Sequence, residues 1–225
     1  MNTRRSLNRL LALTFSFICI LILCRIIYLQ NLNHVFLVWN IFLAWIPFML
    51  SHYFKQYRSS QSWKQAFLFG SWLLFFPNAL YIVTDLIHVQ DDPVAPVWYD
   101  AILLFTCSFL GLIMAFSSLY NVERYLQYKF NRKAISLLMP LIIFLGSFGV
   151  YLGRFERWNS WDIVQNPLAL GADILSCFIS PGDNLRNWGI TGMLTILFYI
   201  IYTFSKIMSY QWSAKKMPGP EEPGK

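Results

Sequence analysis

Apolar residues along this chain gather into six long runs, near residues 10–29, 34–53, 65–84, 98–120, 134–152 and 188–208. At 1.5 Å per residue, roughly 18 or more apolar residues cross a hydrocarbon core of ~30 Å, and each run reads as such a span. Short polar segments separate the runs and leave no room for a soluble domain. The pattern therefore predicts an all-α fold, a polytopic membrane helix bundle of about six transmembrane helices, with one domain over residues 1–210. A further apolar stretch, 168–179, is too short to span. It follows Asn166-Pro167, a capping residue and a first-turn proline, and reads as an interfacial or re-entrant helix over the outer face. Residues 211–225, ending Pro218-Gly-Pro-Glu-Glu-Pro-Gly-Lys225, read as a short disordered tail.

Arg4, Arg5 and Arg9 precede the first run, as they would in a secretory signal. Its apolar core outruns the roughly 7–15 residues of a signal and no small-x-small cleavage site follows, so a retained span is expected. Composition agrees with the membrane class. Only 13% of residues are charged, against about 25% in soluble domains.

Charge then sets the orientation. Fourteen of the eighteen Lys and Arg residues fall in alternate inter-span segments, around residues 4–9, 55–64, 124–133 and 206–225. The opposite set holds Arg25, Arg154, Arg157 and Arg186. Basic residues accumulate on the cytoplasmic side, which predicts a plasma-membrane protein with both termini cytoplasmic. Asp85, Asp91, Asp92, Asp100, Glu156, Asp162, Asp173 and Asp183 then lie on the outer side. The net charge of +7 is thus a basic inner face summed with an acidic outer one. Such short membrane-edge clusters suit anionic lipid, and no nucleic-acid partner is expected. Cys19, Cys24, Cys107 and Cys177 show no metal-ligand spacing.

Small residues suggest how the helices meet. Gly146, Gly149 and Gly153 make one stripe of the fifth run, and Gly111, Ala115 and Ser118 offer a matching stripe on the fourth. Such stripes let backbones approach in lipid. Packing within the chain is the expected use, and a homo-oligomer seam has no independent support. Pro77, deep in the third run, should kink its helix and free a carbonyl near residue 73.

Two polar clusters carry the candidate chemistry. If the third helix continues past Pro77, then Asn78, Tyr81, Asp85 and His88 share one face, with Thr84 beside it. Asp85 is a candidate general base, proton carrier or cation ligand, with His88 as assistant; equally, Asp85 could pair with an arginine across the bundle. Asp85 and His88 could share a metal, with Asp100 able to supply a third ligand, but two ligands are not a site and no metal is assigned. The second cluster follows the fifth run. Arg154 and Arg157, three apart, with Trp158, Asn159 and Trp161, could hold an anionic headgroup or sugar at the membrane surface. Salt bridges to Asp85, Glu156 or Asp162 and an ordinary aromatic belt are the competing reading. Asp162 is either a catalytic carboxylate or the helix-start partner of an Asn159 cap.

The strings Phe76-Pro-Asn-Ala-Leu-Tyr-Ile-Val-Thr-Asp-Leu-Ile-His88, Trp98-Tyr-Asp100 and Tyr151-Leu-Gly-Arg-Phe-Glu-Arg-Trp-Asn-Ser-Trp-Asp162 resemble a family of bacterial integral membrane proteins catalogued as a domain of unknown function. The resemblance covers roughly residues 35–205, with Leu80 standing where the family usually has Pro. It implies a bacterial plasma-membrane protein and supplies no activity, cofactor or catalytic residue.

Three functions remain open. The first is an outer-facing pocket that binds or processes an anionic or lipid-linked envelope substrate. In it Arg154 and Arg157 clamp the anion, and Asp85, His88 or Asp162 does any acid–base work. The second is a carrier that uses Asp85, against which stand the lack of an inverted repeat and of a carboxylate on the inner half of another span. The third is a structural or assembly protein whose polar belt is a salt-bridge lock.

Overall fold

A computed structural model describes residues 3–56, 61–90, 94–182 and 184–214. Eight α-helices follow one another: α1 (Thr3–Leu29), α2 (Phe36–Tyr53), α3 (Ser62–Tyr81), α4 (Val97–Lys129), α5 (Arg132–Phe155), α6 (Asp162–Gln165), α7 (Pro167–Ile179) and α8 (Leu185–Ala214). A 3-10 helix, Ile82–Gln90, carries α3 onward, and no strand occurs among the described residues. Six of the helices are long and apolar enough to cross a membrane, as expected of a multi-pass membrane protein. Asp91, Asp92, Asp183, Arg58 and the tail from residue 215 lie outside the described residues.

The fourth helix runs nine residues beyond the expected end at 120. Its buried stripe explains why: Ser118, Leu119, Val122, Tyr125 and Leu126 continue the three-and-four spacing into the polar segment. The chain thus keeps burying one face while its other face turns polar.

The third helix holds the centre of the packing, with Trp72, Phe76, Ala79 and Leu80 fully buried. Trp72 Nε1 donates to Ser118 Oγ at 2.6 Å, and Ser118 Oγ donates to the Pro47 carbonyl at 3.1 Å, tying α3, α4 and α2 together. The two small stripes do not face each other. Both clasp α3, because a Cβ on Gly149 would sit 2.5 Å from Pro77 Cγ and one on Gly146 2.8 Å from Phe76. On the other flank, a Cβ on Gly111 would meet the Ala79 carbonyl and Ile82 at 3.1 Å.

Past Pro77 the third span departs from the expected single α-helix. It tightens into nine residues of 3-10 helix, long for this form, whose threefold repeat buries Ile82 and Asp85 together. The backbone near the proline is partnered one and two residues beyond the expected position. Ser160 Oγ donates to the Leu74 carbonyl at 3.1 Å and Asn78 Nδ2 to that of Phe75 at 3.1 Å. At the same end of the bundle α7 lies against α5 and α8, where Cys177 is buried with Phe148, Tyr151 and Leu152.

Candidate functional site

Arg154, in the last turn of α5, organises the acid-rich end. Its Nη2 is ion-paired with the buried Asp85 of the 3-10 helix. Its Nε donates to Thr84 Oγ1 at 2.8 Å, and its Nη1 meets His88 Nε2 at 3.2 Å. A guanidinium can only donate, so Nε2 of His88 is the acceptor in that contact. The same guanidinium lies over the Tyr81 ring, 4.4 Å from its centroid. Asp85 takes its other support from α2, where Asn40 Nδ2 donates to Oδ2 at 2.8 Å. The arginine partner expected as one alternative for Asp85 is therefore present, and it is Arg154.

Either winding allows this convergence: an α-helix would hold residues 81, 84, 85 and 88 within about 100° of arc, and the three residues per turn of the 3-10 form stack 82, 85 and 88 on one face with 81 and 84 beside it. Asn78 is drawn elsewhere: its Nδ2 donates to Ser160 Oγ at 2.9 Å and so ties α3 to the loop after α5. The expected single stripe is thus divided between two neighbours.

That loop is ordered by its own bonds. Trp158 N–H reaches back to the Leu152 carbonyl at 3.1 Å, closing the end of α5. Arg157 absorbs the turn in the left-handed region, at φ 61°, a position that helix ends usually give to glycine. Trp158 Nε1 donates to Asp173 Oδ2 of α7 at 2.9 Å, and Trp161 stands edge-to-face with Trp39 of α2 at 6.5 Å. Asp162 Oδ2 accepts from the Asn159 backbone N–H at 2.6 Å. The expected cap is therefore reversed: the carboxylate caps the turn, while Asn159 contributes its backbone and Trp161 takes the N-cap position. Asn166 does precede Pro167 at the start of α7, but its side chain makes no capping bond.

Asp85 and His88 are brought together on Arg154, and Asp162 is not linked by a hydrogen bond to either. Asp100 also turns away from them. It forms a two-pronged pair with Arg25 of α1, Nε to Oδ1 at 2.8 Å and Nη2 to Oδ2 at 3.1 Å, in a site where both side chains are buried. Arg25 Nη1 continues to Asn31 Oδ1 at 3.0 Å, and His34 Nε2 stands 3.9 Å from Asp100 Oδ2. The metal set considered from the sequence therefore loses its third member, and no group of three or more His, Cys, Asp or Glu suited to a metal occurs among the described residues.

Two features escaped the sequence reading. One is Asn40, an amide alone in an apolar run, whose isolation was the available signal. The other is Glu123, 3% exposed in the basic half of α4. It pairs with Lys206 Nζ at 2.5 Å, accepts from Tyr202 Oη of α8, and accepts from Gln127 Nε2 at 3.1 Å. Against the expectation of no further span carboxylate, α4 thus buries one toward its basic end. The apolar run of α4 stops near 120, three residues short of it, and one objection to a carrier falls with that boundary.

A family model described as "Protein of unknown function (DUF1361)" matches residues 39–204, which include Asn40, Tyr81, Thr84, Asp85, His88 and Arg154. The chain belongs to this family. No curated protein and no solved structure matches the chain. Membership in DUF1361 places the two clusters inside the shared domain and assigns neither of them a role.

Proposed function

We propose that this is a plasma-membrane protein, both termini cytoplasmic, whose acid-rich end binds an anionic or lipid-linked envelope group from outside. The basic residues of the opposite end support the orientation. The observation that carries the binding reading is Arg157. It is exposed, held at φ 61°, and makes no hydrogen bond or ion pair among the described residues, whereas the Asp85–Arg154 cluster is internally satisfied. A left-handed non-glycine residue costs roughly 1–2 kcal/mol. Retaining a strained arginine where glycine fits better is understandable if the guanidinium has work outside the fold. Trp158 and Trp161 follow it one and four residues on and supply the faces that a sugar or headgroup packs on. Asp85 is ion-paired with Arg154, so acid–base work by it would first require it to leave that partner.

The structural-lock reading is favoured by the same buried Asp85–Arg154 pair, and the two readings separate on different residues. In a deletion strain complemented with Arg157→Gly or Arg154→Ala, membrane protein level is scored beside the lipid and envelope-glycan profile. Normal level with an accumulated lipid-linked species in Arg157→Gly supports the site. An unchanged profile in Arg157→Gly, with protein lost only in Arg154→Ala, leaves the lock and sinks the site.

A further inference from the structure

The first span leans on α4 and leaves a gap to α2. Ile18, Ile22 and Arg25 form the buried stripe of α1, and Arg25 pins it to Asp100 at the start of α4. Toward its other end α1 borders a cleft of about 1100 Å³, walled by Ala12 and Phe15 on one side and by α2 on the other, with Leu110 and Met114 of α4 as its floor. The α2 wall is a ladder of rings. Trp39, Phe42 and Trp45 follow at every third residue, each half-exposed, with successive ring centroids 5.4 Å and 6.4 Å apart. The first rung joins the loop after α5, because Trp39 also meets Trp161 edge-to-face at 6.5 Å. The last rung, Trp45, stands midway along α2, away from the interfacial belts where tryptophan usually lies.

Building on the outer binding reading, we propose that this track seats the single long chain of a polyisoprenoid-linked anion whose headgroup binds at the Arg157–Trp161 loop. Continuity gives the connection. Trp39 belongs both to the loop contact and to the cleft, so a chain that leaves the loop meets the ladder at its first rung. Length gives the chain. From Trp39 to Tyr53 the α2 lining runs about 21 Å at 1.5 Å per residue, whereas one leaflet of a ~30 Å core supplies only about 15 Å. A leaflet-length acyl chain anchored at the loop covers part of that lining; a polyisoprenoid covers all of it. Chemistry agrees, since the ring faces offer large apolar area to the methyl branches and double bonds of an isoprenoid. A tryptophan placed at mid-membrane depth then has a use that an interfacial belt does not explain.

The test is native mass spectrometry of the full chain in neutral detergent, offered polyprenyl phosphate, geranyl phosphate, polyprenol or phosphatidic acid. Polyprenyl phosphate should be retained at least about tenfold better than geranyl phosphate or phosphatidic acid, which carry a phosphate on shorter chains. Phe42→Ala with Trp45→Ala should lower its retention about tenfold, through the loss of two ring faces. Ala12→Trp, which fills the cleft and keeps every ring of the ladder, should lower it as well. Geranyl phosphate held as well as polyprenyl phosphate, with both weakened by Arg157→Gly, would keep the outer anion site and overturn the track. Polyprenol held as well as polyprenyl phosphate, with Arg157→Gly binding like the parent, would sink the outer anion reading itself and this assignment with it. Phosphatidic acid held as well as polyprenyl phosphate would reduce the track to ordinary bilayer contact and overturn the assignment, as would both sets of track variants binding like the parent.

Discussion

Both ends of the bundle bury carboxylates, and Asp85 at one end and Glu123 at the other are used differently. Asp85 sits where helices converge: the glycine stripe of α5 brings that helix against α3, and Arg154 at its end reaches Asp85 with every arm engaged. Glu123 sits where helices part, and its partner Lys206 is 41% exposed beside an open groove. The first charge pair takes part in closing an interface. The second holds a cation at the edge of a gap. Burial of a carboxylate therefore does not by itself mark a binding site; what matters is whether its partner has bonds left to give.

The sharpest way to break that contrast is to unpair each carboxylate. Arg154→Ala strands Asp85 in a buried site and should destabilise by about 3–5 kcal/mol, read as loss of protein level or of thermal midpoint in detergent. Asp85→Asn added to it should recover much of the loss. At the other end, Lys206→Ala leaves Glu123 with Tyr202 and Gln127 and with water in the groove, so the loss should stay within about 1 kcal/mol. Equal losses at the two ends would erase the distinction.

Interface closure has its own test. Gly149→Ala places a methyl 2.5 Å from Pro77 Cγ, a rigid ring that cannot swing aside, and should cost about 1–3 kcal/mol by overpacking. Gly189→Ala in α8, with nothing within 4 Å of its added Cβ, should be neutral or stabilising by about 0.5–1 kcal/mol. Comparable melting of the two variants would mean that the α3–α5 contact is not as tight as its geometry.

How much of this was legible from residues alone follows from which forces leave a one-dimensional trace. The hydrocarbon core demands about twenty apolar residues per crossing, so the six spans and the short α7 were readable, as was the Asn166-Pro167 start. Partner choice leaves no such trace. Arg25 and Asp100 are 75 positions apart and Asn40 and Asp85 are 45 apart, and nothing local to either pair announces it. The passage from α-helix to 3-10 after Tyr81 also leaves no signal, because Tyr81, Thr84, Asp85 and His88 keep to one side of the helix at a period of 3.6 and at one of 3.0 alike. Glu123 was hidden by a boundary drawn where polar residues begin, although the apolar stripe through Val122 and Leu126 ran on past it.

The smallest expected effect sharpens the acid-rich end most. Arg157→Gly puts the residue suited to φ 61° into the turn that Trp158 N–H closes on the Leu152 carbonyl. Relief of left-handed strain and the greater freedom of glycine in the unfolded chain nearly cancel, so the thermal midpoint should hold or rise by no more than the equivalent of about 1 kcal/mol. Arg157→Ala keeps the strain and removes the same guanidinium, so it should be the less stable of the two. If instead both variants fall together by several kcal/mol, the guanidinium is bound into the fold, and the acid-rich end becomes a lock in which every charge is spent.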